Sequence, residues 1–208
     1  WLESLLIGAV ISSTDAASVF SVLRSKKLNL RYGTASILEL ESGSNDPWAY
    51  MLTVIILSVM KGGATAGGFV VSLLAQVFFG VFFGALISLG AVYLIKRVRF
   101  DAAGFDAIFV TAIAILSYAL PSAVGGNGYL SCYIVGIVLG NTKISGKTAL
   151  VHFFDGITGF TQILLFFLLG LLAFPSQMPS IILPAAAIAL FLTFVARPAA
   201  VTLSLIHI

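Results

Sequence analysis

Charge is scarce in this sequence. Lys, Arg, Asp and Glu make up 9% of its 208 residues, where ordinary soluble domains carry about 25%. Against 60% hydrophobic residues, so little polarity would leave a soluble core with large apolar patches facing water. A soluble globular domain is excluded. Cysteine is nearly absent as well. Cys132 stands alone, so no internal disulfide can form, and its place in an apolar run marks it as a small packing residue. The chain opens at Trp1 without a methionine or a signal-peptide layout and stops inside the apolar run AAVTLSLIHI. It is expected to be an internal piece of a longer protein. The formal charge of +3 does not point to a nucleic-acid partner, because the basic residues sit in short loops between apolar runs, where they set membrane topology.

Long apolar runs are what the sequence has in abundance. A bilayer core about 30 Å thick needs roughly 20 apolar residues as helix. Cutting at the polar clusters gives seven candidate spans: 4–23, 34–60, 68–95, 105–121, 124–140, 153–174 and 180–204. The fourth and fifth are divided only by Pro121 and the run GGNG. Loop charge tests this cut independently. Arg24, Lys26, Lys27 and Arg31 fall in the first connection, Lys96, Arg97 and Arg99 in the third, and Lys143 and Lys147 in the fifth. Only Lys61 falls in an even connection, so nine of the ten loop cations lie on one side. A wrong number of spans would scramble that alternation. The odd connections are therefore cytoplasmic. Gly80 and Gly84, and likewise Gly136 and Gly140, place small residues four apart and allow close helix contact.

Asp15, Glu39, Glu41, Asp46 and Arg197 lie within or near the spans. A central Asp or Arg costs about 2.5–3.5 kcal/mol to insert, so each needs a partner or a water-filled cavity. Glu39 is close enough to the first loop to snorkel and is read as structural. In the first span, Ser12, Ser13, Thr14 and Asp15 offer four consecutive side chains that compete for the helix backbone. They favour an interrupted span, whose freed carbonyls and half-helix ends can coordinate a small cation. The alternative is a continuous helix in which Asp15 pairs with a neighbour.

The stretch ELESGSNDP, residues 39–47, carries three carboxylates. Glu41 and Asn45 are four apart and share a helix face, with Asp46 about 100° further round. Asn45 can hydrogen-bond either carboxylate. Pro47 removes a backbone donor beside Asp46, and Gly43 permits close approach by another backbone. Arg197 is the cation at comparable depth and the natural counter-ion for Glu41, a pair that loss of either partner would strand. Asp46 is left as the acid free to hold a proton or a metal cation, but not both strongly. That competition is the chemistry of an exchanger. Two other classes compete with it. An intramembrane aspartyl protease would need a Gly-x-Gly-Asp arrangement, which GSND does not supply. A non-transporting scaffold or channel subunit would keep its buried charges for folding alone.

The stretches STDAASVFSVLRSKKLNLRYG, ELESGSNDP, YLSCYIVGIVLGN, FFDGITGFTQILLFFLLGLL and FVARPAAV, in that order and spacing, resemble the sodium/hydrogen exchanger family. The likeness is nearest to the NhaP-type cation/proton antiporters and to their potassium/proton branch, which also lacks a Pro at position 16. The resemblance implies an all-α, polytopic, inverted-repeat antiporter with interrupted helices, a mobile core and a dimerisation domain. Residues 1–61 map to core, ion-site helices, 62–99 to a linker helix, 100–174 to the dimerisation side, and 175–208 to a core helix truncated at its C-terminus. Asp46 takes the place of the transport acid, with Asn45 as its motif partner. Thr14, Asp15 and Ser42 take the places of further ion ligands, so that Asp46 and Asp15 are the carboxylates that meet the metal ion. Glu41 and Arg197 match the family's buried ion pair. An Asn-Asp pair goes with electroneutral one-for-one exchange. The resemblance thus implies a transporter and not an enzyme, with K+ or Na+ and H+ as its cargo and no cofactor. It also implies a homodimer in a lipid bilayer, multi-pass in a cell membrane such as the bacterial inner membrane. Residues 204–208 depart from the family's continuation after the Arg-Pro segment.

Overall fold

The computed structural model describes residues 1–14, 34–62, 66–97, 104–144 and 146–205. Every regular element among them is helical. These are α1 (Leu2–Ile11), α2 (Thr34–Met60), α3 (Ala66–Arg97), α4 (Phe105–Ala123), α5 (Gly128–Asn141) and α6 (Lys147–Leu172). A 3-10 turn at Pro175–Gln177 then leads into α7 (Met178–Phe191), a π-helical stretch at Leu192–Ala196, and α8 (Arg197–Leu205). Four segments are long and apolar enough to cross a membrane: Gly67–Arg97, Phe105–Ala123, Lys147–Leu172 and Pro175–Leu203. Helices α1 and α5 are apolar but shorter. The 27 residues of α2 give it a length of about 40 Å, enough to span the bilayer despite its acids. The chain is an all-α polytopic membrane protein.

In the first span, regular helix ends where its polar run begins. Regular helix stops at Ile11; Ser12 caps it, its N–H donating to the Gly8 carbonyl and its hydroxyl to the Ala9 carbonyl at 2.7 Å. Residues 15–33, with Asp15 and the first loop's cations, lie outside the described residues. Between α4 and α5 the cut falls later than the sequence implies. Pro121 lies inside α4, which continues to Ala123, because a proline near a helix end forfeits only one backbone bond. The turn that follows needs Gly125, whose φ is +79°, a conformation that costs other residues more. Asn127 then caps α5, its side-chain oxygen accepting from the Leu130 N–H at 3.1 Å.

The chain divides into two compact units, residues 1–156 and 157–208. In the first, α3, α4 and α5 enclose a core of Ile87, Ala91, Ile113, Val135 and Leu139. Gly80 and Gly84 let α5 settle onto α3. A Cβ on Gly80 would lie 3.0 Å from the Asn127 carbonyl oxygen, and one on Gly84 3.1 Å from Ile134. Gly136 and Gly140 do not serve the same purpose: among the described residues nothing comes within 4 Å of a Cβ placed there. Cys132 packs as expected, its Sγ donating to the Ala114 carbonyl at 3.4 Å. Helix α2 lies against α1, α3 and α5, and Tyr50 meets the Tyr129 ring edge-on at 4.6 Å.

The second unit holds the rest of α6 and the segment from Pro175 onward. Its apolar windows bury none of their residues within the chain, as expected of Leu- and Phe-rich surface that faces lipid or other helices. The π-helical stretch has a local cause. Pro198 has no N–H to offer the Phe194 carbonyl, and the helix widens over the turn before it.

Candidate ion-binding site

The broken end of α1 docks against the middle of α2. Asp46 lies roughly 18 Å along α2 from Thr34 and about 21 Å from Met60, counting 1.5 Å per residue. The acid therefore sits near the middle of the helix. Ser42, Asn45 and Asp46 share the side of α2 that faces Ser13 and Thr14.

Four hydrogen bonds knit Thr14 into this surface. Its N–H donates to Asn45 Oδ1 at 3.5 Å, and its Oγ1 accepts from Asn45 Nδ2 at 2.6 Å. Thr14 Oγ1 lies 3.0 Å from Ser42 Oγ, and Ser42 Oγ donates to the Thr14 carbonyl at 3.3 Å. One proton arrangement satisfies all of these: Asn45 donates to Thr14, Thr14 to Ser42, and Ser42 back to the Thr14 carbonyl. A backbone N–H can only donate, so the Thr14 N–H also fixes which atom of the Asn45 amide is oxygen. Ser42 is 1% exposed, so its hydroxyl depends on these partners.

Asp46 is half-buried, and its Oδ1 accepts a hydrogen bond from the Ser13 hydroxyl. Ser13 was not singled out as a site residue in the sequence, although it belongs to the Ser-Ser-Thr-Asp run that breaks the helix. Asn45 faces two carboxylates in the sequence and bonds to one: its Nδ2 donates to Glu41 Oε1 at 3.3 Å. Glu41 is exposed within the first unit, while Arg197 belongs to the second unit, described separately. Gly43 is approached by a side chain instead of a backbone. A Cβ there would lie 2.8 Å from Cε2 of Tyr133.

Chemically, this arrangement has the donor types that a small cation requires. The C-terminal end of α1 points into it with the partial negative charge of a helix terminus. Hydroxyl, amide and carboxylate oxygens of Ser13, Thr14, Ser42, Asn45 and Asp46 lie where α1 meets α2. These are hard ligands, suited to alkali cations in place of soft metals. Among the described residues, no group of three or more His, Cys, Asp or Glu could hold a resident metal ion.

Residues 1–207 match the family model described as sodium/hydrogen exchanger, transmembrane. The chain belongs to the sodium/hydrogen exchanger family. It is 42% identical over 212 residues to a protein of Shewanella oneidensis named K(+)/H(+) antiporter NhaP2, covering 99% of this chain and 36% of that protein. It is 40% identical over 207 residues to K(+)/H(+) antiporter NhaP of Alkalimonas amylolytica, with the same coverage. A more distant relative, Na(+)/H(+) antiporter NhaS2 of a Synechocystis species, is 28% identical over 200 residues, or 91% of this chain and 35% of the relative. The chain thus spans about a third of the length of the curated relatives it matches. An exchanger family is one of transporters, which removes the protease reading.

Proposed function

We propose that this chain supplies the first ion-binding half of a monovalent cation/proton antiporter that works by alternating access at Asp46. The observation that carries the reading is the docking of the α1 break on α2, which sets one carboxylate, three hydroxyls and an amide around a negative helix end. Protonation of Asp46 cancels the charge that holds the cation, and deprotonation restores it. One site then carries the two cargoes in turn and in opposite directions. Asp15 completes the ligand set beside Thr14. Glu41 and Arg197 take the places of the structural ion pair, which leaves Asp46 as the transport acid. Residues 1–61 and 175–208 belong to the moving core, 62–99 to its linker, and 100–174 to the dimerisation side. The whole protein is a homodimer in a bacterial inner membrane and exchanges K+ or Na+ for H+ one for one. The names of the relatives support K+ more than Na+.

Reconstitution of the complete protein in proteoliposomes tests this. Adding K+ or Na+ outside should drive protons out of the lumen without net current. Current that follows the cation gradient would identify a channel, and no proton movement with either cation would reject the exchanger.

Two substitutions separate ligand from scaffold. Thr14→Val removes the hydroxyl that receives the Asn45 amide and leaves a half-buried donor unpaired, a loss of about 1–3 kcal/mol. The apparent cation KM is expected to rise roughly 5- to 150-fold in a concentration series of exchange rates, and an unchanged KM contradicts a role at the ion. Glu41→Gln is expected to lower the yield of folded protein, measured by monodisperse recovery in detergent, because it strands Arg197. Normal yield with altered cation affinity would place Glu41 among the ion ligands instead.

A further inference from the structure

Helix α2 has a second face that the ion site does not use. Leu40, Gly43 and Pro47 recur three and four residues apart and so line one side of the helix, turned away from Ser42 and Asn45. Helix α5 holds that side at three points. Tyr133 Oη donates to the Leu40 carbonyl at 3.2 Å, the Tyr133 ring covers Gly43, and Asn127 Nδ2 donates to the Pro47 carbonyl at 2.9 Å.

Asn127 is 0% exposed and fully engaged. Besides reaching Pro47, it caps α5 through its side-chain oxygen, and its N–H donates to the Gln76 carbonyl of α3 at 3.1 Å. One residue of the α4–α5 turn therefore ties α2, α3 and α5 together. The spacing of the two grips agrees on both helices. Leu40 to Pro47 is about 10 Å along α2, and Asn127 to Tyr133 is about 9 Å along α5. Two attachments that far apart set both the rotation and the height of α2 against α5 in this state, and both must break when the core moves. Both bonds go to main-chain carbonyls, so they fix the backbone and not a side chain. They also bracket the weakest part of α2, since Pro47 cannot donate to the Gly43 carbonyl.

We propose that Asn127 and Tyr133 are positioning residues for the ion site: they hold α2 from behind in the one state the structure shows, set the depth and rotation at which Asp46 meets the α1 break in that state, and let go when the core moves. Neither residue is an ion ligand. The proposal rests on the antiporter reading of Asp46, and its test distinguishes the two. Tyr133→Phe deletes one hydroxyl and keeps the ring over Gly43. Asn127→Ser keeps a side chain able to cap α5 but too short to reach Pro47. Both are made in the complete protein, reconstituted in proteoliposomes, and assayed for cation KM, maximal rate and the pH of half-maximal exchange. Each variant is expected to shift the cation KM roughly 2- to 10-fold, the range open to one lost hydrogen bond, and to move the pH midpoint. The double variant should exceed either one. If the unsubstituted protein exchanges cations for protons while both variants lose only yield or maximal rate, with KM and midpoint unmoved, the positioning role is wrong and the antiporter reading stands. If the unsubstituted protein moves no protons with K+ or Na+, the antiporter reading fails and this proposal with it. Should Asn127→Ser fail to fold, Tyr133→Phe decides alone, because its loss is confined to one exposed hydroxyl.

Discussion

Asp46→Asn is expected to abolish cation/proton exchange in the complete protein while leaving its membrane insertion intact. The substitution is close to isosteric, and its side-chain oxygen can still accept from the Ser13 hydroxyl that meets Asp46 Oδ1. On the proposed function it removes both the charge that holds the cation and the proton site that releases it, so both halves of the cycle are expected to stop together. Folding should not suffer. A central Asp costs about 2.5–3.5 kcal/mol to insert, a penalty a neutral amide reduces. Recovery from the membrane should equal or exceed that of the unsubstituted protein. Exchange that persists with its pH dependence in proteoliposomes would remove Asp46 from the mechanism.

Gly128→Ala is expected to disrupt the packing of the first unit. The new Cβ would lie 2.6 Å from the Tyr118 carbonyl oxygen, 2.6 Å from the Ser122 hydroxyl and 2.7 Å from the Tyr118 ring. A backbone carbonyl cannot swing aside as a side-chain tip can, so the α4–α5 hairpin must open. Overpacking costs typically 1–3 kcal/mol, and the upper end applies here because the same movement unseats Asn127. Thermal unfolding in detergent should show a lowered midpoint and a poor yield. Gly90→Ala is the control, since among the described residues nothing lies within 4 Å of its added Cβ, and alanine favours helix over glycine. Equal behaviour of the two variants would contradict the packing described for the hairpin.

Much of this architecture was legible in the residues because it depends on local chemistry. The apolar run between the first loop and Lys61 gives α2 its ends at Thr34 and Met60. Ser12, Ser13 and Thr14 announce the break in α1 because hydroxyls compete with helix hydrogen bonds wherever the helix lies. Thr14 meets Ser42 and Asn45, three residues that the family resemblance carries to the ion site. What escaped sequence reasoning depends on contacts between distant segments. Asn127 is recognisable as a helix cap after two glycines, yet nothing local tells that its amide reaches a carbonyl 80 residues earlier. Tyr133 over Gly43 is hidden for the same reason, as is the idleness of Gly136 and Gly140 beside the working pair Gly80 and Gly84. The π-helical stretch before Arg197 did have a local signal, Pro198, which removes the donor its turn requires.

Proton release on cation binding tests the central claim most directly. Purified complete protein in weakly buffered detergent solution is titrated with K+ and, separately, with Na+ near its working pH, and the released protons are counted against bound cation. Competition for one carboxylate predicts protons appearing in step with binding, and neither binding nor release in Asp46→Asn. Cation binding with no proton release, or release that survives in Asp46→Asn, would contradict it.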